Sequence, residues 1–395
     1  MSLHRLGPLI RLWGLPLTDI PPPGVASDDL APFLMAILQE AVPFLDTISP
    51  RAGPSEDDSL WKSKGTKTFP GSSAPVEVLE RIIPVAELEL VMARSQLAHG
   101  HDQATKLHSE VWACRRSVHE DTARKGTASW DEFVSAIKVH HAEAEEDFTP
   151  NIRRVHTPLE WDCSGVEAEE GGLIWQDFTL KVHESKHNIG APLKDRVFAV
   201  LQMTASAAGE AREFVVVSIA INDFSNAPEA VLSKEKGPVV GAYTSVERVR
   251  KLDTGEIEWI MATVSDARGV LPLWVQAMAV PGQVAKDVSL FLSWIEKERP
   301  KAEANDAPSS TPHNKKDSPA QDGEGFSGRI PEAIDAAQNT KRESAAVYNR
   351  EASQVKVDTA GSDQPPSVPP KDQGTSNAGG TESATKDVSA VKPET

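Results

Sequence analysis

The chain has 395 residues, room for one large domain or two ordinary ones, and carries a net charge of −17 with a pI near 5.1. So acidic a chain repels phosphate backbones, which argues against general nucleic-acid binding, and it suits an anionic membrane only through a local basic patch. Its two cysteines, Cys114 and Cys163, lie in no C-x-x-C pair, which argues against a disulfide-stapled scaffold and a thiol-rich zinc site and fits a reducing compartment.

Residues Met1 to Pro23 alternate leucines with Arg5, Arg11 and prolines. These apolar runs are too short for a secretory signal, Pro8 and Pro16 interrupt a presequence pattern, and no stretch of the sequence could span a bilayer. A cytoplasmic protein is expected. From Asp28 to Leu45, Leu30, Phe33, Leu34, Ile37, Leu38 and Val42 recur at helical spacing, with Asp28 as the expected cap. Residues 50–74, rich in Pro, Ser, Gly and charge, read as a linker. Val76 to Ile83 reads as a strand, Glu87 to His108 as partly helical, and Glu110 to His119 as a second strand. Ser129 and Glu132 form a capping box that opens a helix whose apolar face is Trp130, Phe133, Val134 and Ile137.

After Gly172 the pattern turns to strands at 173–186, 196–204, 213–222, 238–251 and 256–265, with a hairpin turn at Asp253-Thr254-Gly255. Strands that follow one another without helices between them imply an antiparallel sheet and an α+β fold. An apolar helical region, Leu271 to Glu298, closes the domain, with a turn or kink expected at Pro281-Gly282. All nine tryptophans precede Pro300. The polar, Pro- and Ser-rich remainder cannot bury enough apolar surface to offset the entropy of ordering, so a disordered tail is expected. The expected organisation is an N-terminal helix and linker appended at 1–74, a folded domain at 75–298 and the tail at 299–395.

Several segments resemble the START (lipid-transfer) superfamily. Lys194-Asp195-Arg196-Val197-Phe198 is similar to the family's strand opening, with its acid and base in reverse order, and Phe214-Val215-Val216-Val217-Ser218 is similar to the strand that follows. Ile257 to Asp266, then Gly269-Val270-Leu271-Pro272-Leu273-Trp274, resembles the last strand, turn and helix opening. Residues 114–121 (CRRSVHED), 243–249 (YTSVERV) and 280–288 (VPGQVAKDV) resemble motifs of an uncharacterised fungal family of START-like proteins. The resemblance implies a helix-grip START-like fold: a curved antiparallel sheet around a long C-terminal helix, with a lipid-sized cavity between them. Val284, Val288, Phe291 and Ile295 agree with it, because they recur at three- and four-residue spacing and give the helix one apolar face.

On that fold two constellations are candidate ligand sites. Phe178, Leu180, Val182 and Glu184 alternate along one strand, and Arg196, Phe198 and Val200 along the next. If those faces line the cavity, Glu184 and Arg196 are costly isolated charges that should pair or hold a ligand's polar end. The same residues also read as an ordinary salt bridge at a strand edge. Trp274, Met278, Val284, Val288 and Phe291 read either as a cavity lid or as core packing. Arg115, His119, His141 and Glu145 read best as solvated strand and helix faces.

No G-x-S-x-G, P-loop, Rossmann or H-E-x-x-H pattern occurs. No catalytic residue, cofactor or metal site is assigned, and the expected function is binding, and transfer, of a sterol or phospholipid, with transient membrane contact. Two rival readings stand beside it. One is an interaction module with an occluded cavity; the other is a cavity enzyme using His183, Glu184 or Tyr243. In the tail, Pro366, Pro369 and Lys371 match an SH3 ligand pattern.

Overall fold

A computed structural model describes residues 6–51, 60–95 and 107–306, with side chains throughout except at 273, 274 and 300–306. Its strands are β1 (Lys62–Lys67), β2 (Val76–Ile83), β3 (Glu110–His119), β4 (Ile152–Trp161), β5 (Ala168–Glu170), β6 (Leu173–His187), β7 (Arg196–Ala207), β8 (Glu213–Ala220), β9 (Val239–Val240), β10 (Ala242–Lys251) and β11 (Ile257–Asp266). They form one open eleven-stranded sheet in the order β1-β2-β3-β11-β10-β8-β7-β6-β4, with β5 added beside β6 and β9 beside β7. Every ladder is antiparallel but the short one between β7 and β9.

The helices are α1 (Ser27–Asp46), α2 (Val85–Arg94), α3 (Trp130–Phe133), α4 (His141–Phe148) and α5 (Leu273–Asp306), and a π-helical stretch, Val134–Val139, joins α3 to α4. This is the expected α+β, helix-grip arrangement of an antiparallel sheet with a long C-terminal helix on one face. Every residue of β8 is buried, which requires cover on both sides. Val215, Val217 and Ile219 face Leu30, Leu34, Ile37 and Leu38 of α1, in one apolar cluster with Leu9, Ile10 and Leu15 from before that helix. Phe214 and Val216 face the other way, toward a cluster built with Phe133 of α3 and Ala285, Val288 and Phe291 of α5.

Several boundaries differ from the sequence reading. Helix α1 starts at Ser27 after Ala26, which makes no side-chain cap, and Asp28 sits in the first turn, where a carboxylate meets the positive end of the helix dipole. The expected linker contains β1, an edge strand of sequence KSKGTK with every residue exposed, so no apolar alternation marks it. The capping box is present: Ser129 accepts from the Glu132 amide, and Glu132 accepts from Ser129 N at 2.8 Å. Helix α5 runs through Pro281-Gly282 without the expected turn and continues past Glu298 to Asp306. Proline removes one helical hydrogen bond, a loss smaller than the gain from the apolar face that α5 buries. The rest of the tail, including Pro366, Pro369 and Lys371, lies outside the described residues. Among those described, no helix is long and apolar enough to cross a membrane.

Candidate functional site

The sheet face under α5 is divided. One part is closed by apolar packing: the Phe291 ring lies 5.1 Å from that of Phe133 and 5.2 Å from that of Trp259, with Val288 and Ile295 in the same cluster. Elsewhere this face carries a run of polar residues. Strand alternation and register bring Tyr243, Ser245 and Glu247 of β10 to the same face as Ser218 of β8, Gln202 of β7 and His183 of β6. Arg115 of β3 joins the row of Glu247, with Met261 of β11 between them.

The centre of this polar part is a buried ion pair. Arg115 donates from Nη2 to Glu247 Oε1 at 3.1 Å, and its guanidinium carbon lies 3.7 Å from the Trp259 ring centroid, a close cation–π contact. Glu247 also accepts from Trp259 Nε1 at 2.6 Å and meets His141 Nε2 at 3.4 Å. Nδ1 of the same imidazole meets Gln202 Nε2 at 3.3 Å, and that amide also reaches Ser218 Oγ at 3.3 Å. Arg115 is only 2% exposed, yet its Nε and Nη1 have no hydrogen-bond partner among the described residues. An arginine presents five N–H donors in a rigid fork, and leaving buried donors unmet is costly.

Helices α4 and α5 add two acids. Glu145 lies one turn beyond His141, 3.8 Å from it, and Asp287 projects from α5 within the field of Arg115. Burial pushes the Asp287 carboxyl up to about 7, and the neighbouring Glu145 and Glu247 add to burial against the pull of Arg115. Burial also raises Glu145, which His141 only partly offsets. For Glu247 burial is overcome by bonds from His141 and by Arg115, so its carboxyl is held low. For His141 the desolvation of the charged ring is outweighed by Glu247 and Glu145, so the imidazole is raised. Burial drives the Tyr243 phenol well up, and burial with the charge of His141 drives His183 down to about 4. Glu145 keeps 38% of its side chain accessible. We call the region between the sheet, α4 and α5 that these polar side chains line the chamber. Among the described residues no group of three or more His, Cys, Asp or Glu side chains is placed to hold a metal ion.

Only some of the residues expected at the site come together here. Phe198 faces the chamber, its ring 5.4 Å from Tyr243 and 5.1 Å from His187. Val284 is buried one turn before Asp287. Val288 and Phe291 belong to the packed aromatic part, Met278 is 53% exposed, and the side chain of Trp274 lies outside the described residues. Glu184 and Arg196 do not meet. Their strands are adjacent, but Glu184 stands opposite Ala199 and Arg196 opposite His187, which puts the two charges on opposite faces of the sheet. Glu184 accepts backbone N–H bonds from Val231, Leu232 and Ser233 at 2.8, 3.1 and 2.7 Å and meets His156 Nδ1 at 3.2 Å. Arg196 donates to the carbonyls of Ala267, Lys194 and Arg268, so it clamps the turn after β11.

Arg115, Glu247, Glu145 and Asp287 were not marked as site residues by sequence reasoning. His141 and Glu145 had the correct i, i+4 spacing, but nothing in the sequence tells an inward-facing polar stripe from a solvated one. A better signal is present in β3 and β10. Arg115, Ser117 and His119 alternate on one strand, and Tyr243, Ser245 and Glu247 on another, so polar side chains repeat with period two where both faces are covered.

Comparison with known families matches residues 112–295 to one described as "Protein of unknown function (DUF3074)". No curated protein matches the sequence. Among solved structures, the fold is similar to human STARD10, at 12% identity over 68% of this chain and 82% of that one, with a TM-score of 0.42. It is also similar to human StAR-related lipid transfer protein 5, at 13% identity over 70% and 100% of the two chains, TM-score 0.41. A STAR-related lipid transfer protein from Xanthomonas axonopodis is 13% identical over 61% and 98% of the two chains, with a TM-score of 0.35.

Proposed function

We propose that the protein binds, and transfers, a hydrophobic ligand such as a sterol or phospholipid in the chamber between the sheet and α5, with the ligand's polar end at Arg115. The observation that carries this reading is the open edge of that arginine: a buried cation whose Nε and Nη1 have no acceptor among the described residues. A ligand hydroxyl, carbonyl or phosphate oxygen supplies that acceptor, while Glu145 or Asp287 accepts a hydrogen bond from a ligand hydroxyl or, when protonated, donates one. Apolar walls such as Phe198 and Val284 take the ligand's body, whose burial contributes about 25 cal/mol per Å². The orienting role expected of Glu184 and Arg196 passes to Arg115 and its acids, because Glu184 is taken up by three backbone N–H groups and His156, and Arg196 by three carbonyls. Both cysteines are free and buried, which suits work in the cytoplasm.

The aromatic closure around Phe291 also fits the reading of an interaction module with an occluded cavity, and one experiment separates the two. The full chain is purified from a eukaryotic host and examined by native mass spectrometry with lipid extraction. A stoichiometric co-purifying lipid, lost from Arg115→Met, is the expected result. A clean apo mass, with no uptake from a mixed sterol and phospholipid panel, overturns the proposal in favour of the interaction module.

A further inference from the structure

The ladder between β3 and β11 ends early. On one side β2 and β3 stay paired as far as Ile83 and Glu110, and on the other β10 and β11 stay paired as far as Ala242 and Asp266. Between these two ladders pairing stops at Ala113 and Thr263. The sheet therefore divides here, with Trp112 and Val264 the first residues no longer joined. A pocket of about 420 Å³ occupies the division. Val111 and Ala113 of β3, Ser265 of β11, Trp13 of the N-terminal segment and Ala277 and Val280 of α5 are among its walls.

Two of these walls run on into the chamber. Arg115 lies two residues beyond Ala113 on the same face of β3, roughly 7 Å along the strand. On α5, Val280, Val284 and Asp287 fall at i, i+4 and i+7, and so on one helix face. Small side chains, Ala113 and Ala277, stand on the two walls. The stretch from the end of β11 through the first turns of α5 is tied together by Gln276, whose Oε1 accepts from Ala267 N at 2.7 Å and whose Nε2 donates to the Leu271 carbonyl at 3.0 Å. The same segment carries Val270, 85% exposed, and Met278, 53% exposed, apolar side chains that suit contact with a lipid surface.

We infer that the hydrophobic ligand enters and leaves the chamber through this division of the sheet, its apolar body passing between β3 and the first turns of α5. The inference rests on the binding reading above and adds the route. A side chain that narrows the route slows passage in both directions and leaves the bound state alone, whereas a change inside the chamber alters affinity.

The test uses the full chain and follows transfer of an NBD-labelled sterol, and separately of NBD-labelled phosphatidylcholine, from phosphatidylcholine vesicles by stopped-flow fluorescence. Ala277→Trp on α5 and Ala113→Phe on β3 are each expected to lower uptake and release rates together by roughly tenfold, with Kd held within about twofold. Gln276→Ala, which frees the start of α5, is expected to raise both rates. Ala277 is only partly buried, so its variant carries the test if Ala113→Phe fails to fold. Unchanged rates in a folded plugged variant overturn the route. A Kd shift carried by one rate alone places the side chain inside the chamber and also overturns it. Uptake of neither probe by the wild-type chain overturns the binding reading itself.

Discussion

Each face of the sheet buries an arginine–glutamate pair, and the two pairs are built differently. On the α1 face Arg11 donates from Nη1 to Glu110 at 2.9 Å and from Nε to the Gly7 carbonyl at 3.0 Å. Glu110 is used further by Leu12 N at 2.7 Å and Trp112 Nε1 at 2.9 Å, and the guanidinium carbon lies 5.7 and 5.6 Å from the Phe44 and Trp112 ring centroids. On the α5 face Arg115 meets Glu247 in a similar contact but keeps two donor nitrogens unmet among the described residues, with Glu145, Asp287 and His141 gathered around the pair. The first arrangement pins the N-terminal segment to β3. The second holds a charge in place while leaving one side of it open. Burial alone does not separate a structural charge from a ligand-binding one; the accounting of its hydrogen bonds does.

The largest effect that tests this contrast is expected on the closed side. Glu110→Leu strands Arg11 and frees the Leu12 amide and the Trp112 indole, and it should destabilise the protein by about 3–5 kcal/mol. Equilibrium urea unfolding measures this, and a loss below about 1 kcal/mol would show that the pair holds nothing. On the open side, Arg115→Met removes a cation whose partner Glu247 keeps Trp259 and His141. Stability should fall by only about 1–3 kcal/mol while lipid affinity drops tenfold or more. A stability loss equal to that of Glu110→Leu, with lipid binding unchanged, would erase the distinction between the pairs.

Arg196 shows how far the sequence could be read. Its burial among apolar strand residues was legible from the alternation of Arg196, Phe198 and Val200, and so was an antiparallel sheet under a final apolar helix. Its partner was not. Pairing Arg196 with Glu184 assumed that two separately counted alternations faced one way, and cross-strand register, set by the β6–β7 connection, decided otherwise. The polar edge strand β1 and the inward turn of His141 and Glu145 escaped for a related reason: each depends on what packs opposite, not on its own periodicity. The placement in the structure changes the expected effect of Arg196→Leu. The variant releases the carbonyls of Ala267, Lys194 and Arg268, so a loss of about 1–2 kcal/mol is expected with ligand preference unchanged. A switch between bound lipid classes in this variant would return Arg196 to the site.

The effect read in pH is the most specific to the open pair. Asp287 has a folded-state pKa raised to about 7, against an unfolded value of about 3.9. Below about pH 4 both states carry its proton; from there to about pH 7 only the folded state holds it, so its contribution to stability is lost as pH rises and is gone above 7. Asparagine has no proton to lose. Urea unfolding of Asp287→Asn and wild type should therefore give a difference that is small near pH 5, grows in favour of the variant toward pH 7 and is level by about pH 8. His183 and His187, both pushed down to about 4 chiefly by burial, act in the opposite sense, since their stability is lost as pH falls. They are present in both proteins and largely cancel from the difference. A bound lipid whose polar end takes the open donors of Arg115 should change the Asp287 contribution, because that acid and the ligand draw on one cation. If the difference between the two proteins were flat in pH, with and without lipid, burial would not raise the Asp287 carboxyl, and that acid would have no part in the open pair.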